Sequence, residues 1–148
     1  MTESIATSHV TYADSFERAR VAADARHAAH TRDEFTQWLG DSFVLDRYRA
    51  GDMALATYEA LANAAEFAYV STGLTGTMDV RATHDPHEST LTVIVADHGL
   101  WRTVTPTPND RSRGRGIALM KALSDRASIH TSTDGTTVRL VWANVSKR

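Results

Sequence analysis

The sequence predicts an α/β two-layer sandwich, in which a mixed, mostly antiparallel sheet carries its helices on a single face. Three observations lead to this fold class. Short apolar runs rich in β-branched residues are separated by turn residues, which is typical of the strands of an antiparallel sheet. The dipeptide Asp134-Gly135 between two such runs is a strong hairpin signal. Longer segments rich in Ala and Leu predict the helices that cover the sheet.

The N-terminal part of the chain is predicted to form a short edge strand and two helices. Asp14 can cap the first helix, Glu17 stands where a capping box needs it, and Gly40 can end the helix. Gly51 marks a break or a cap in the second helical region. The predicted bounds are 8–13 for the edge strand, 14–39 for the first helix and 46–69 for the second helical region.

The C-terminal part is predicted to form two strands, a loop, a third helix and a hairpin. The loop at 100–112 has 13 residues without a regular pattern, which is long for a plain connection and predicts a lid over a ligand. The predicted strands are 77–83 and 90–97, the helix is 116–125, and the hairpin strands are 127–133 and 136–144.

Composition predicts one domain with a sizeable core over residues 1–148, with loose ends at 1–7 and 145–148. The chain has 16 basic and 18 acidic residues, so neither nucleic acid nor a membrane is an expected partner. Zero cysteines exclude disulfides and thiolate metal sites and predict a cytoplasmic protein. His27 and His30 have helical spacing but no third ligand, so exposed histidines are the preferred interpretation.

Asp97-His98-Gly99 ends the apolar strand at 90–97. A carboxylate fixed there can accept a hydrogen bond from the amino group of a nucleotide base, and Gly99 lets the backbone turn closely. Further along, Gly114 and Gly116 open an apolar segment, where helix N–H groups can bind a phosphate. The alternative for each motif is a plain turn, which is the commoner meaning of either motif alone.

Glu59, Asn63 and Glu66 recur at helical spacing in an Ala-rich segment. A solvated polar face is one interpretation of this pattern. Asn63 argues against it, because asparagine disfavours helix interiors. An asparagine there can offer an oxygen ligand to Mg²⁺, and Glu59, one turn earlier, can accept a proton from a hydroxyl that attacks a phosphate.

Four motifs stand in the order found in the Bergerat-fold (GHKL) ATP-binding domains, and the chain resembles the anti-sigma-factor serine kinases of that superfamily. They are EALANA…AY at 59–69, DHGLWR at 97–102, RGRGIALMKALSD at 113–125 and DGTTVRLVW at 134–142. The resemblance spans about 44–142, most of the chain. It implies ATP and Mg²⁺ as cofactors, and the Bergerat fold as the form of the sandwich.

The resemblance also implies a role for each site residue. Asn63 would be the Mg²⁺ ligand and Glu59 the base. Asp97 would bind the adenine amino group, Gly99 would allow the ring to approach closely, and Thr137 or Thr136 would place a hydroxyl near that carboxylate. Gly114 and Gly116 would be the phosphate-loop glycines, and Arg113 and Arg115 would offset phosphate charge. For the two arginines the alternative is solvated loop charge, and for the threonines it is an ordinary strand.

Two positions depart from the family pattern. Phe67 stands where relatives often carry His, which affects partner contacts more than nucleotide binding. Leu100 follows the Asp-x-Gly motif where a second glycine is common, so the lid hinge is expected to be stiffer or differently folded.

Three functions remain open on the sequence alone. The first is a serine/threonine kinase that phosphorylates an anti-anti-sigma (STAS-type) partner and sequesters a sigma factor when that partner is absent. The second is a switch that binds nucleotide and partner without phosphotransfer, and the third is a structural domain without nucleotide. Glu59 favours the first over the second, because binding alone needs no base. Dimers are common in the resembled family, so a homodimer is among the expected assemblies.

Overall fold

The computed structural model describes residues 9–12, 15–69, 76–99 and 111–148. One large sheet and three helices form two layers. In chain order the elements are β1 (His9–Tyr12), β2 (Ser15–Ala22), α1 (Ala25–Ser42), β3 (Phe43–Val44), α2 (Arg47–Phe67), β4 (Thr77–Asp85), β5 (Thr90–Asp97), α3 (Arg111–Leu123), β6 (Arg126–Ser132), β7 (Gly135–Trp142) and β8 (Ser146–Lys147).

The large sheet has six strands in the order β1-β2-β4-β5-β7-β6. Every strand pairing in the described part of the chain is antiparallel, whereas the sequence predicted a mixed sheet. The side chains of β5 alternate between buried and half-buried positions, and Leu91, Val93 and Val95 face the helices. The two-layer α+β architecture with helices on one face is therefore confirmed.

The predicted first helix is wrong in its N-terminal half. Residues 15–22 form β2, which pairs with both β1 and β4, and the helix begins only at Ala25. Its cap is Asp24, whose carboxylate accepts the N–H of His27 at 2.7 Å, rather than Asp14. Sheet pairing on both sides of β2 outweighs the helical propensity of this Ala- and Arg-rich stretch.

The other two helices also differ from their predicted bounds. Helix α2 runs unbroken through Gly51 from its cap Asp46, and α1 passes Gly40 to end at Ser42. Glycine lowers helix stability without ending a helix whose flanking positions are packed. Helix α3 begins at Arg111, so Gly116 lies inside it rather than at its start. Most of the predicted lid, 100–110, lies outside the described residues.

The C-terminal tail is paired rather than loose. Strand β8 pairs with β3, Val145 is fully buried, and its carbonyl lies 2.6 Å from His84 Nε2. The hairpin before it turns one residue earlier than predicted, because Gly135 already pairs with Ser132 as the first residue of β7.

An aromatic cluster fills the core where α1 packs on β2. Its members are Phe16, Phe35, Trp38 and Phe43, with ring centroids 5.0–5.8 Å apart in the contacting pairs. Arg18 is almost buried beside them, with its guanidinium 4.2 Å from the Phe16 ring centre and paired to Glu34 at 3.1 Å. The polar group in this region is therefore compensated by both a ring and a carboxylate.

Candidate functional site

Asp97, the last residue of β5, carries a buried carboxylate on the helix side of the sheet. Its Oδ1 accepts the backbone N–H of Gly99 at 3.1 Å and that of Thr136 at 3.3 Å. Two backbone donors from different segments hold one carboxylate oxygen, which fixes the orientation of the side chain. The structure therefore provides the rigid carboxylate that the strand-end motif predicted.

Thr136 rather than Thr137 shares the helix-facing side with this carboxylate. Thr136 lies directly opposite Asp97 in the β5–β7 ladder and is 1% exposed. Thr137 is half-buried on the other face, because neighbouring side chains in a strand point to opposite faces. Of the two threonines that the sequence left open, the geometry favours Thr136 as the hydroxyl near Asp97.

Two glycines let other backbone segments approach this carboxylate strand end. A Cβ on Gly99 would lie 2.0 Å from the carbonyl oxygen of Ala68, at the end of α2. A Cβ on Gly135 would lie 1.9 Å from the carbonyl oxygen of Asp97, and Gly135 also has a φ of +138°. Neither position has room for a side chain, so both glycines keep the strand end compact.

Helix α2 presents Glu59 and Asn63 to α3. A Cβ on Gly116 would lie 3.1 Å from Glu59 Oε2 and 3.3 Å from both amide atoms of Asn63. Gly116 thus lets α3 pack directly on the two polar side chains. Its observed role is close helix contact, which differs from the predicted position in a loop at the helix start.

The polar residues of α2 are not a uniformly solvated face. Glu66 is exposed, Glu59 is half-buried, and Asn63 is 3% exposed. The buried residues of α2 are not confined to one side of the helix, because the helix packs against α1, α3 and the sheet. Contact with α3 is what brings Asn63 into the interior.

The partial burial of Glu59 raises the pKa of its carboxyl group, and the negative charge of Glu66 adds to that effect. Burial disfavours the charged form of a carboxyl group, and a nearby like charge does the same. A carboxylate with a raised pKa is a stronger base than an ordinary glutamate. The environment of Glu59 therefore fits the role of proton acceptor that the sequence predicted.

Two buried polar atoms in this region have no hydrogen-bond partner. They are the amide nitrogen of Asn63 and the hydroxyl oxygen of Thr136. Buried polar groups are nearly always paired, because an unpaired one costs about 1–3 kcal/mol. Such atoms are able to pair with a polar ligand, although two others in the described residues, Thr57 Oγ1 and His84 Nδ1, are unpaired as well.

The remaining predicted residues are described less fully. Arg115 is exposed on α3, where a guanidinium is free to reach a bound anion. Gly114 and Arg113 belong to the first turns of α3. Among the residues that the structure describes, there is no group of three or more His, Cys, Asp and Glu side chains that could hold a metal ion.

Sequence reasoning missed Tyr69, whose hydroxyl accepts the backbone N–H of His98 at 3.0 Å. This contact ties the end of α2 to the turn that follows Asp97. The tyrosine belongs to the EFAY segment after Asn63, so its position was visible. Its contact was not, because it joins segments far apart in the chain.

The sequence profile of the histidine kinase-like ATPase domain matches residues 21–142. The matched range contains Glu59, Asn63, Asp97, Gly116 and Thr136. This chain belongs to that family. Membership implies ATP binding and confirms the family predicted from the four motifs. No relative was found among the curated proteins.

Solved structures share the fold of this ATPase domain. The crystal structure of the RsbU and RsbW domains of Rv1364c from Mycobacterium tuberculosis superposes with a TM-score of 0.67 at 23% identity. It covers 90% of this chain, which spans only 33% of the length of that one. The histidine kinase domain of a blue-light activated histidine kinase from Erythrobacter litoralis superposes with a TM-score of 0.55 at 15% identity. The superposition covers 95% of this chain and 69% of the length of that one.

The helices carry no sign of a membrane segment. In the part of the chain that the structure describes, no helix is long and apolar enough to cross a bilayer.

Proposed function

We propose that this ATPase domain is a cytoplasmic anti-sigma regulatory factor that binds ATP with Mg²⁺ and phosphorylates a serine or threonine of an anti-anti-sigma (STAS-type) partner. A sigma factor is the second proposed partner, bound when the first is absent. Family membership supports nucleotide binding. The motif resemblance to anti-sigma-factor serine kinases supports the partner class.

The observation on which this proposal rests is that two buried polar atoms, Asn63 Nδ2 and Thr136 Oγ1, have no hydrogen-bond partner. Each lies near a charged group of the site: Asn63 one helical turn from Glu59, and Thr136 opposite Asp97. Asn63 and Ala68, which touches Gly99, are five residues apart on α2, or about 7–8 Å along the helix axis. This spacing suits a ligand with a base at one end and phosphates at the other.

At the base end, Asp97 would accept the adenine amino group and the Thr136 hydroxyl would complete the polar contacts of the ring. The family resemblance assigns close approach of the ring to Gly99, whose backbone lies against the end of α2. A carboxylate that is already fixed by two backbone donors loses little freedom when the nucleotide binds.

At the phosphate end, Asn63 Oδ1 would hold Mg²⁺, because an amide oxygen is a neutral ligand for a hard cation. The unpaired Nδ2 would donate to a phosphate oxygen. Bound there, Mg²⁺ would neutralise phosphate charge. Glu59 would accept the proton of the attacking hydroxyl, which its raised pKa favours. Arg113 and Arg115 would offset the charge of the phosphates.

A thermal-shift experiment tests nucleotide binding. At 100 times its Kd, Mg·ADP should raise the melting temperature by roughly 5–10 °C for a domain of this size. Asp97→Asn should abolish most of this shift. Its amide oxygen must replace Oδ1 to keep the N–H groups of Gly99 and Thr136 paired, which places an NH₂ group where adenine needs an acceptor.

Asp85→Asn is the matched control. Asp85 also ends a strand, and its Oδ1 also accepts two backbone N–H groups, those of His87 and Glu88. Asp85 is exposed and lies outside the site, so its variant should keep the full shift. The absence of any shift in the wild type at millimolar nucleotide would defeat the proposal.

A further inference from the structure

The turn after Asp97 is held from outside the sheet by Tyr69. The β4–β5 ladder ends at the pair Met78–Asp97, so the N–H of His98 lies beyond the last strand pair. That N–H donates to the Tyr69 hydroxyl at 3.0 Å. The same hydroxyl donates to the carbonyl of Thr77, at the start of β4. One phenol therefore joins the ends of two neighbouring strands.

The Tyr69 ring is held in place by Gly76. A Cβ on Gly76 would lie 2.0 Å from the ring carbon that carries the hydroxyl, so the Gly76 backbone packs directly against the ring. No other residue fits at that position without displacing the phenol. The hydroxyl consequently has a defined position, which a flexible surface tyrosine would not have.

We propose that Tyr69 is a positioning residue that orients Asp97 toward the base of a bound nucleotide. The segment 97–99 is held by the Tyr69 hydroxyl on the His98 N–H and by the Ala68 carbonyl against Gly99. Asp97 Oδ1 also accepts the N–H groups of Gly99 and Thr136, and the His98 ring lies 3.0 Å from Asp79 Oδ2. The contact from the Tyr69 hydroxyl is the one that the loss of a single side-chain atom abolishes. This inference rests on the proposed adenine contact of Asp97 and concerns base recognition only.

The test uses Tyr69→Phe, which keeps the ring against Gly76 and removes only the hydroxyl. Calorimetric titration compares ADP with IDP, whose hypoxanthine ring has a carbonyl in place of the amino group and gains nothing from the Asp97 acceptor. The Kd of ADP should rise about 3- to 10-fold, the effect of one neutral hydrogen bond. The Kd of IDP should stay nearly constant, so the preference for ADP should narrow by about the same factor.

Tyr48→Phe is the matched control. Tyr48 lies in the first turn of α2, the helix that ends two residues before Tyr69, and it is 71% exposed. Its hydroxyl also takes part in a hydrogen bond, with Arg47 at 3.0 Å. Its variant should bind both nucleotides like the wild type.

The outcomes separate the two levels of the proposal. An unchanged Kd for ADP in Tyr69→Phe would overturn the positioning role and leave nucleotide binding intact. An equal loss for ADP and IDP would also overturn it, since a purely structural effect weakens both. If the wild type binds neither nucleotide, the proposed function fails, and the role of Tyr69 fails with it.

Discussion

The aromatic cluster and the polar site are both buried against the same sheet, but their polar side chains differ in whether they have interaction partners. In the cluster, the guanidinium of Arg18 has a ring and a carboxylate as partners. At the site, the Asn63 amide nitrogen and the Thr136 hydroxyl are buried without partners, and burial raises the pKa of Glu59. The guanidinium of Arg18 is thus paired in the free protein and the two site atoms are not, although the cluster also has one unpaired buried atom beside it, Nδ1 of His84 against Phe43.

The aromatic cluster stabilises the folded state, whereas the unpaired polar groups of the site destabilise it. Packed rings contribute free energy in the absence of any ligand. Unpaired polar groups reduce the free energy of unfolding, and under the proposed function a nucleotide would pair them and so couple its binding to stability. Substitutions in the two regions should therefore have opposite signatures, stability loss in one and function loss in the other.

The largest stability effect is expected in the cluster. Phe35 is fully buried, and Phe35→Ala should lower the free energy of unfolding by about 3–5 kcal/mol through lost burial and a residual cavity. Urea unfolding measures the change. Tyr48→Ala, at an exposed aromatic residue on α2, should change stability by less than about 0.5 kcal/mol. Equal losses in the two variants would contradict the role of the cluster.

The next effect concerns Glu59 and separates a kinase from a switch. Glu59→Gln should lower phosphorylation of a STAS-type partner by about 10²-fold or more, with nearly normal ATP binding, because a general base is lost. Phosphotransfer from labelled ATP measures this. Asp52→Asn is the control on the same helix, because Asp52 is exposed and is not among the groups that shift the pKa of Glu59. Partner binding without phosphotransfer in the wild type would replace the kinase by the nucleotide-dependent switch.

A smaller effect distinguishes the two threonines. Thr136→Val removes an unpaired buried hydroxyl and keeps the shape, so the free protein should be as stable or slightly more stable. Its Kd for ADP should rise about 3- to 10-fold, as expected for one lost hydrogen bond. Thr137→Val, on the open face, should bind ADP normally. The reverse result would restore Thr137 as the site hydroxyl.

The smallest effect is a pH dependence of stability. The folded-state pKa of Glu59 lies above its ordinary value of 4.5, so the folded state binds a proton more tightly than the unfolded state does. Glu59 therefore contributes stability below pH 4.5 that is lost as pH rises through the raised pKa. Wild type minus Glu59→Gln, measured by urea unfolding across this window, should decline with rising pH. Parallel stability curves for the two proteins would show that the pKa of Glu59 is not raised in the folded state.

The motifs predicted the composition of the site better than its geometry. Asp97, Glu59 and Asn63 could be singled out because a strand end and a helical spacing are local patterns. The partners of these residues come from other elements. Thr136 meets Asp97 only through the β5–β7 register, and Gly116 meets Asn63 only because α3 packs on α2.

The sequence by itself determined the family, the layer architecture and the strand β5, since motif order and alternation are properties of short segments. Tertiary structure decided that 15–22 is a strand, that the tail pairs with β3 and that Asn63 is buried. The physical reason is common to these three. A strand needs neighbours to complete its hydrogen bonds, and burial needs a covering element, and both come from residues distant in the chain.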